Sequence, residues 1–495
     1  MFELCYHAAP PQGSYIDIKL FARFSIGDET KTVKGFYDGN GIYKIRFLPQ
    51  TPGKYSWQVS GIIQDSGEDF CEDCSEQGVI RAVGTHFEDA NGNVFRPFGT
   101  TVYALPHQKL SLISQTIQTL QRAPFNKVRY CIFPKYYDYN RDEPELFPFE
   151  REGDRWNVHR PCIAFWQRLE SVILQLADSR IQSDLIMFHA YDKWGFSGLT
   201  MQENFVYLDY VLRRFSAFPF VWWSLANEFD LLFARTLQDW YALERFIFDN
   251  DVFGHLLSVH NCFSFYDHHR EAISHCSVQS GQIESAAKFI QDYAKPVIFD
   301  ECGYEGNVAQ DWGNMSGFAL VNSFWTIIAQ GAYCTHGETF VSDDEILWWS
   351  KGGVFKGESV PRLAFLKGIV DGFPSYILPW QTDPLEGIDP EQRKLIMDTP
   401  FRKLIREMPK RQQESCFVRD AKFMGRCGDD VFLQYLGRHC CAELEWRLPE
   451  DKRYEIHVVD VWEMTDKIAC RNICGKVTIP LPGKEGIAVI AYRRE

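Results

Sequence analysis

The sequence predicts a multidomain α/β and all-β protein, a (β/α)8 TIM barrel flanked by an N-terminal and a C-terminal β-sandwich. Three observations carry this expectation. Both ends of the chain alternate apolar and polar side chains at period two, as half-buried antiparallel strands do. Between them, short apolar runs alternate eight times with helical patterns, the rhythm of a parallel barrel. One such run, Phe220-Val221-Trp222-Trp223, gives way to Asn227-Glu228-Phe229-Asp230, polar groups placed where a strand buried on both faces would end. Those residues also suit a strand leading into a helix with an acidic first turn, so the rest of the chain must decide.

Residues 1–82 read as the N-terminal β-sandwich. Ile16, Ile18, Leu20, Ala22 and Phe24 keep one phase, and Tyr37-Asp38-Gly39-Asn40-Gly41 supplies turn residues tolerant of positive φ. Tyr43, Ile45 and Phe47 alternate with Lys44 and Arg46, and Tyr55, Trp57 and Val59 with Ser56, Gln58 and Ser60. The acidic stretch 64–77 reads as an exposed loop. Residues 83–375 form the barrel, with strands expected around 98–103, 127–133, 184–190, 220–226, 255–261, 276–280, 296–300 and 331–336. Phe165, Leu169, Val172 and Leu176 share one stripe of a helix, and residues 237–248 form another. The weak point is 263–275, short and polar for a helix. A flavodoxin-like open sheet would alternate too, but no Gly-rich phosphate loop follows any strand. Residues 361–370 read as the last barrel helix and 376–412 as a linker, basic over 402–411. The C-terminal β-sandwich occupies 413–495, with strands around 431–436, 454–462 and 487–492.

The net charge of -14 argues against a nucleic-acid partner, which needs clustered Lys and Arg. Apolar runs fall short of the roughly 18 residues of a membrane span, and MFELCYHAAPPQG has neither the basic nor the long apolar region of a signal peptide. The 15 Cys are odd in number and lie mostly within apolar runs, a pattern of free thiols that places the chain in a reducing cytoplasm. Cys71-Glu72-Asp73-Cys74 stands alone, where a structural zinc wants four ligands, so it reads as loop and neither metal nor cofactor is expected. Aromatics at 15% suit sheet packing and a cleft that stacks flat, weakly polar ligands.

The expected strand ends gather polar and aromatic groups on one rim: Arg129; His189, Tyr191, Asp192 and Trp194; Asn227 and Glu228; His260 and Asn261; Gln279; Glu301; His336 and Glu338. Alone, Glu301 in KPVIFDECGYEG reads equally as a helix-entry acid or a salt-bridge partner for Arg129. Paired with Glu228 across a barrel mouth, it gives the minimum apparatus for glycosidic cleavage. One carboxyl must keep a proton for the leaving oxygen, and the other must be ionised to attack the anomeric carbon. Glu338 is the rival for that second place. Zinc amidohydrolases want an H-x-H on the first strand, and FGTTVYA has none; a metal site drawing on His189, His260 and His336 stays open, with neutral His donating to hydroxyls the preferred use. No G-x-S-x-G elbow occurs, and Cys302 reads as packing. Trp194 lies in a loop where its ring could stack on a sugar, whereas Trp348 and Trp349 read as core.

WSLANEFD and VIFDE resemble the two catalytic motifs of retaining clan A glycoside hydrolases. Over nearly all 495 residues the chain resembles bacterial apiosidase-like proteins, through GFYDGNGIYKIRFLPQTPGKY in the leader and HAYDKWGF, SVHNCFSFYD and VIFDECGYEGN in the barrel. The resemblance implies Glu228 as acid/base, Glu301 as nucleophile, Asn227 as partner of the sugar 2-hydroxyl, and a carbohydrate substrate. His260-Asn261 maps onto no fixed role of the clan, and many relatives look exported. The expected function is a retaining glycoside hydrolase of small oligosaccharides or glycosides. A catalytically silent carbohydrate-binding protein and a metal-dependent TIM-barrel hydrolase are the alternatives.

Overall fold

Eight parallel strands form one sheet in the computed structural model, which describes residues 1–74, 78–380, 389–409, 412–413 and 423–494. We number them β1 (Phe98–Thr101), β2 (Lys127–Cys131), β3 (Gln182–Phe188), β4 (Val221–Ala226), β5 (Leu257–Ser258), β6 (Cys276–Gln279), β7 (Val297–Glu301) and β8 (Tyr333–His336). Their order is β5-β4-β3-β2-β1-β8-β7-β6, so the sheet curls until its edges meet. At that seam the ladder shrinks to a single bridge, His260 with Ser277. Every residue of β2, β3 and β4 is buried, the charged Lys127 and Arg129 of β2 and Asp184 of β3 included. The eight strands and the flanking antiparallel sheets are the architecture expected from the sequence.

The helices form where the stripes predict them. Phe165, Leu169, Val172 and Leu176 are all buried on helix Ile163–Asp178. Thr200 and Thr236 begin helices Met201–Phe215 and Leu237–Asn250 with reciprocal capping boxes to Glu203 and Asp239, which satisfy the first free N–H groups. Between β5 and β6 the described residues contain no α-helix, so 263–275 is a run of turns.

The chain divides into two compact units. The first comprises Met1–Gly281, Asp292–Gly317 and Tyr333–Val360, and so holds all eight barrel strands. Its N-terminal part is a three-stranded sheet (Phe2–His7, Ile42–Phe47, Phe36–Tyr37) and a four-stranded one (Glu29–Lys34, Leu20–Ile26, Gly53–Gly61, Asp65–Cys71). Leu20, Ala22, Phe24, Tyr43, Ile45, Phe47 and Tyr55 fill the core between them. Three expectations change here. Ile16 and Ile18 precede their strand rather than belonging to it. Asp65–Cys71 is an edge strand whose Asp65 and Glu68 are exposed, charges that discourage further pairing; 75–77 lie outside the described residues. Arg46, expected to face solvent, is 3% exposed.

Arg46 is buried because helices cover the outer face of its strand. Its guanidinium pairs with Glu3 at 2.6 Å and with Glu170 of helix Ile163–Asp178 at 2.6 Å. Arg214 of helix Met201–Phe215 pairs with the same Glu170 at 2.7 Å and with Asp38 at 2.8 Å. Both guanidinium groups lie over the Phe36 ring. A glutamate shared by two buried cations fixes the sheet on the helices by geometry more than by net energy.

The second unit comprises Gln282–Gln291, Phe318–Ala332 and Pro361–Glu495. It contains a six-stranded sheet (Leu378–Pro379, Phe423–Cys427, Val431–Tyr435, Ile487–Arg494, Arg453–Asp460, Thr465–Ile473) and the two-stranded antiparallel pair Glu443–Leu448 with Gly475–Pro480. Phe432, Trp446, Tyr454, Ile456 and Val489 pack between the two. The stretch read as a linker carries helices Pro390–Met397 and Pro400–Glu407, each opened by a proline at its start; the 413 boundary abuts residues outside the described ones.

Glu170→Ala leaves two buried guanidinium groups short of a carboxylate and should destabilise the first unit by about 3 kcal/mol in urea denaturation followed by tryptophan fluorescence. Glu68→Ala, which breaks the exposed Lys54–Glu68 pair, should leave the midpoint in place. Equal midpoints for the two variants would refute a structural role for the shared glutamate.

Candidate active site

The floor of the barrel mouth is ionic. Lys127 Nζ lies 2.8 Å from both Asp184 Oδ2 and Asp300 Oδ1, and Arg129 reaches Asp300 Oδ2 at 3.3 Å. All four side chains are fully buried or nearly so. Ser277 and Thr335 donate to the two oxygens of Asp300, at 2.5 and 2.7 Å. Burial pushes the Asp300 carboxyl up, but Lys127 and Arg129 beside it more than offset this and hold it well below the usual range. Gly99 on β1 makes room for the cation, since a Cβ there would stand 2.9 Å from Lys127 Cε and 2.6 Å from Thr335 Oγ1.

From this layer the structure builds upward to two glutamates. Arg129 donates to Asn227 Oδ1 at 3.1 Å, and Asn227 Nδ2 donates to Glu228 Oε2 at 3.1 Å. Glu228 has a left-handed backbone (φ 52°), uncommon for a residue with a side chain, which turns the chain sharply at the end of β4. Across the mouth, the β6–β7 register slips between Val278 and Gln279, which face Phe299 and Glu301 and skip Asp300. This bulge lets consecutive residues serve the same interior, Asp300 in the floor and Glu301 above it.

Three further side chains grip the pair. Tyr103, just past β1, donates to Glu301 Oε1 or to Asn227 Oδ1. Tyr191 donates to Glu228 Oε2 at 2.5 Å. Gln279, with its amide nitrogen toward the carboxyls, lies 3.3 Å from Glu228 Oε1 and 2.9 Å from Glu301 Oε2. Burial first and then the Glu301 charge push the Tyr103 phenol up, and burial and Glu228 do the same for Tyr191. Both phenols therefore stay protonated and act as donors. Burial and the charge of Glu228 raise the Glu301 carboxyl to about 7, so near neutrality the pair holds a proton that an exposed pair would lose.

The remaining expected residues are placed as follows. Arg129 is fully buried beneath the glutamates and bonds Asn227, not Glu301. Asp192 spends its carboxylate on the N–H groups of Trp194, Gly195 and Ser197, pinning its loop. Trp194 is 8% exposed and donates to Glu143. Asn261 exchanges two 3.1 Å hydrogen bonds with the backbone of Gln279 across the β5–β6 seam. His189 bonds the Phe133 carbonyl, and burial with Lys135 nearby lowers it to about 4. His336 pairs with Thr100 and stacks on Phe125. Glu338 accepts from the Lys356 N–H and has no contact with Glu228 or Glu301. His260 is fully buried and, by burial and the charge of Arg129, neutral. Among the described residues, no three His, Cys, Asp or Glu side chains are grouped to hold a metal ion.

Sequence reasoning missed Tyr103, Lys135 and the setting of Trp349. The Trp349 ring stands edge-on to Tyr103 with centroids 5.3 Å apart, in the wall of the site rather than in general core. Lys135 lies 3.5 Å from the Tyr103 ring centroid. A lysine among four aromatic residues in IFPKYYDYN was the available signal.

Comparison with known proteins accords with this geometry. The apiosidase-like catalytic domain model matches residues 82–353. Two domains of unknown function, DUF5060 and DUF5605, match residues 1–61 and 420–491. A crystal structure of a putative glycoside hydrolase from Bacteroides vulgatus ATCC 8482 is 30% identical, covers 100% of this chain and 98% of that one, and superposes with a TM-score of 0.87. A glycoside hydrolase family 5 structure from the same organism shares the fold at 14% identity, with 85% of this chain and 93% of that one covered and a TM-score of 0.61. No curated protein matches the chain. With a catalytic-domain match over more than half its length and a full-length relative at 30% identity, the chain belongs to the apiosidase-like family of glycoside hydrolases and is a glycosidase.

Proposed function

We propose that the protein is a retaining glycosidase of small oligosaccharides or glycosides, working by double displacement with Glu301 as nucleophile and Glu228 as acid/base. The observation that carries this reading is the Gln279 amide nitrogen, within hydrogen-bond reach of one oxygen from each glutamate. Two oxygens that share one donor stand at most about 6 Å apart, short of the ~6.5–9.5 Å by which inverting enzymes separate their carboxyls to admit water.

The assignment of roles follows the resemblance, with Asn-Glu after β4 as acid/base and the glutamate ending β7 as nucleophile. Tyr103 holds Glu301 Oε1, and Oε2, oriented by the Gln279 amide, is the oxygen that meets the anomeric carbon. Glu228 gives its proton to the departing oxygen, and the glycosyl ester forms on Glu301. Water then enters on the same side, Glu228 removes its proton, and the ester is cleaved with overall retention. The Asn227 amide, fixed from below by Arg129, is the donor for the sugar 2-hydroxyl.

Glu301→Ala should abolish turnover of every glycoside, including 4-nitrophenyl glycosides whose leaving group needs no proton. Glu228→Ala should still release nitrophenol in a first turnover and then stall, and azide should restore turnover with a glycosyl azide of retained configuration. Glu338→Ala should keep both steps. An inverted product by NMR would refute the double displacement.

The raised carboxyl gives two pH dependences. The alkaline limb of kcat/KM should fall near 7, where the pair loses its shared proton, and the acidic limb marks entry of the second one. For stability, the folded state favours protonated Glu301, whereas an unfolded glutamate ionises near 4.3. The contribution is fully present below that value and is lost as pH rises through about 7. Glu301→Gln should therefore raise the Tm at pH 8 by more than at pH 4. A pH-independent difference would contradict the burial of an ionisable group there.

A further inference from the structure

Lys135 is 4% exposed, yet its ammonium meets neither a carboxylate within 4 Å nor any hydrogen-bond acceptor of the described residues. Aromatic faces hold it instead, with ring centroids of Tyr103 at 3.5 Å, Tyr191 at 4.3 Å, Trp349 at 5.0 Å and Tyr137 at 5.6 Å. Tyr103 and Tyr191 are the two phenols whose hydroxyls donate to Glu301 and Glu228. The ammonium thus rests on the faces of the rings whose edges grip the reacting carboxyls. The neighbouring cations Lys127 and Arg129 are answered by Asp184 and Asp300, and Lys135 is not.

A ring quadrupole attracts a cation without consuming its N–H groups, so the cage anchors Lys135 while its donors stay unspent. Unspent donors in a buried position are costly in the resting protein, and burial pushes the ammonium pKa down. That cost is recovered when an oxygen-rich ligand enters. We propose that Lys135 contacts the substrate and determines specificity, donating from its ammonium to an acceptor oxygen of the sugar bound between Glu228 and Glu301. The placement of that sugar rests on the glycosidase reading above. The acceptor is a hydroxyl of a neutral glycone or the carboxylate of a uronic acid, which share this chemistry.

The test uses the full-length protein and Lys135→Met, which keeps the stem and removes the donors, with thermal unfolding as the check on folding. Lys135→Gln, which retains a neutral donor, is the second variant should the first not fold. The probes are 4-nitrophenyl glycosides of pentoses and hexoses, furanosides included, the matching hexuronides, and monodeoxy analogues of whichever is turned over. Deleting the contacted oxygen should lower kcat/KM of the wild type about tenfold or more, and in the variant that one penalty should vanish while those of the other deoxy analogues persist. A wild-type preference for a hexuronide over its hexoside that the variant loses would identify the carboxylate as the acceptor. A folded variant in which every deoxy penalty and the hexuronide ratio match the wild type overturns the contact while leaving the glycosidase intact. Should a glycoside bind by calorimetry and never be cleaved, the glycosidase reading fails, and the same cycle measured on Kd still decides the contact. A wild type that neither binds nor cleaves any member of the panel overturns both.

Discussion

The site depends on a buried layer of charge. Lys127, Arg129, Asp184 and Asp300 meet inside the barrel, where a core of branched apolar residues would have packed at less cost. Taking four charges out of water is unfavourable unless their lone pairs and protons are met, and Asp300 receives donors on both oxygens. What the layer supplies is position. Its strands are locked in register by bonds that a one-residue slip would break, and Arg129 carries that register up to Asn227 and through it to Glu228. A hydrophobic floor could not orient an amide.

The seam of the barrel serves the same end by other means. β5 and β6 share a single bridge and no helix joins them, so the sheet alone does not fix Gln279. The Asn261 side chain replaces the missing ladder, bonding the backbone N–H and carbonyl of Gln279. Asp230, two residues past Glu228, accepts from the N–H groups of Cys262, Phe263 and Ser264 and fastens the following loop. A short polar connection leaves the mouth open beside the glutamates, and side chains restore the rigidity that a helix would have given.

These devices mark where sequence reading stopped. The barrel was legible because a doubly buried strand is an apolar run with a polar end, and that signature needs no tertiary information. The places of Asn227, Glu228 and Glu301 at the strand ends were legible for the same reason. Which polar residues reach the substrate was not, because hydrogen-bonding groups are spent within the protein: Asp192 accepts from the N–H groups of its own loop, Asn261 bonds Gln279, and His336 pairs with Thr100. Period-two logic would also place Asp300 and Glu301 on opposite faces, and only the slipped β6–β7 register brings both inward. Arg46 misleads in the opposite direction, since an alternating strand says nothing of a helix that later covers its polar face. Tyr103 was lost inside FGTTVYA, which reads as core until the mouth above it is seen.

The charges above the floor then explain the proton. Within the floor two cations meet two carboxylates, so it presents no net charge to the mouth. Glu228 and Glu301 therefore face Lys135 as the one nearby cation that no carboxylate of the described residues has claimed, and two anions against one cation leave an excess negative charge in a buried site. Retaining a proton removes that excess, which is why Glu301 is raised although Tyr103 and Gln279 both donate to it. A second free cation would discharge the pair, and removing Lys135 would leave it more heavily protonated. One cation against two carboxyls is the balance that keeps a single proton on the pair near neutral pH, which is what the proposed double displacement asks of it.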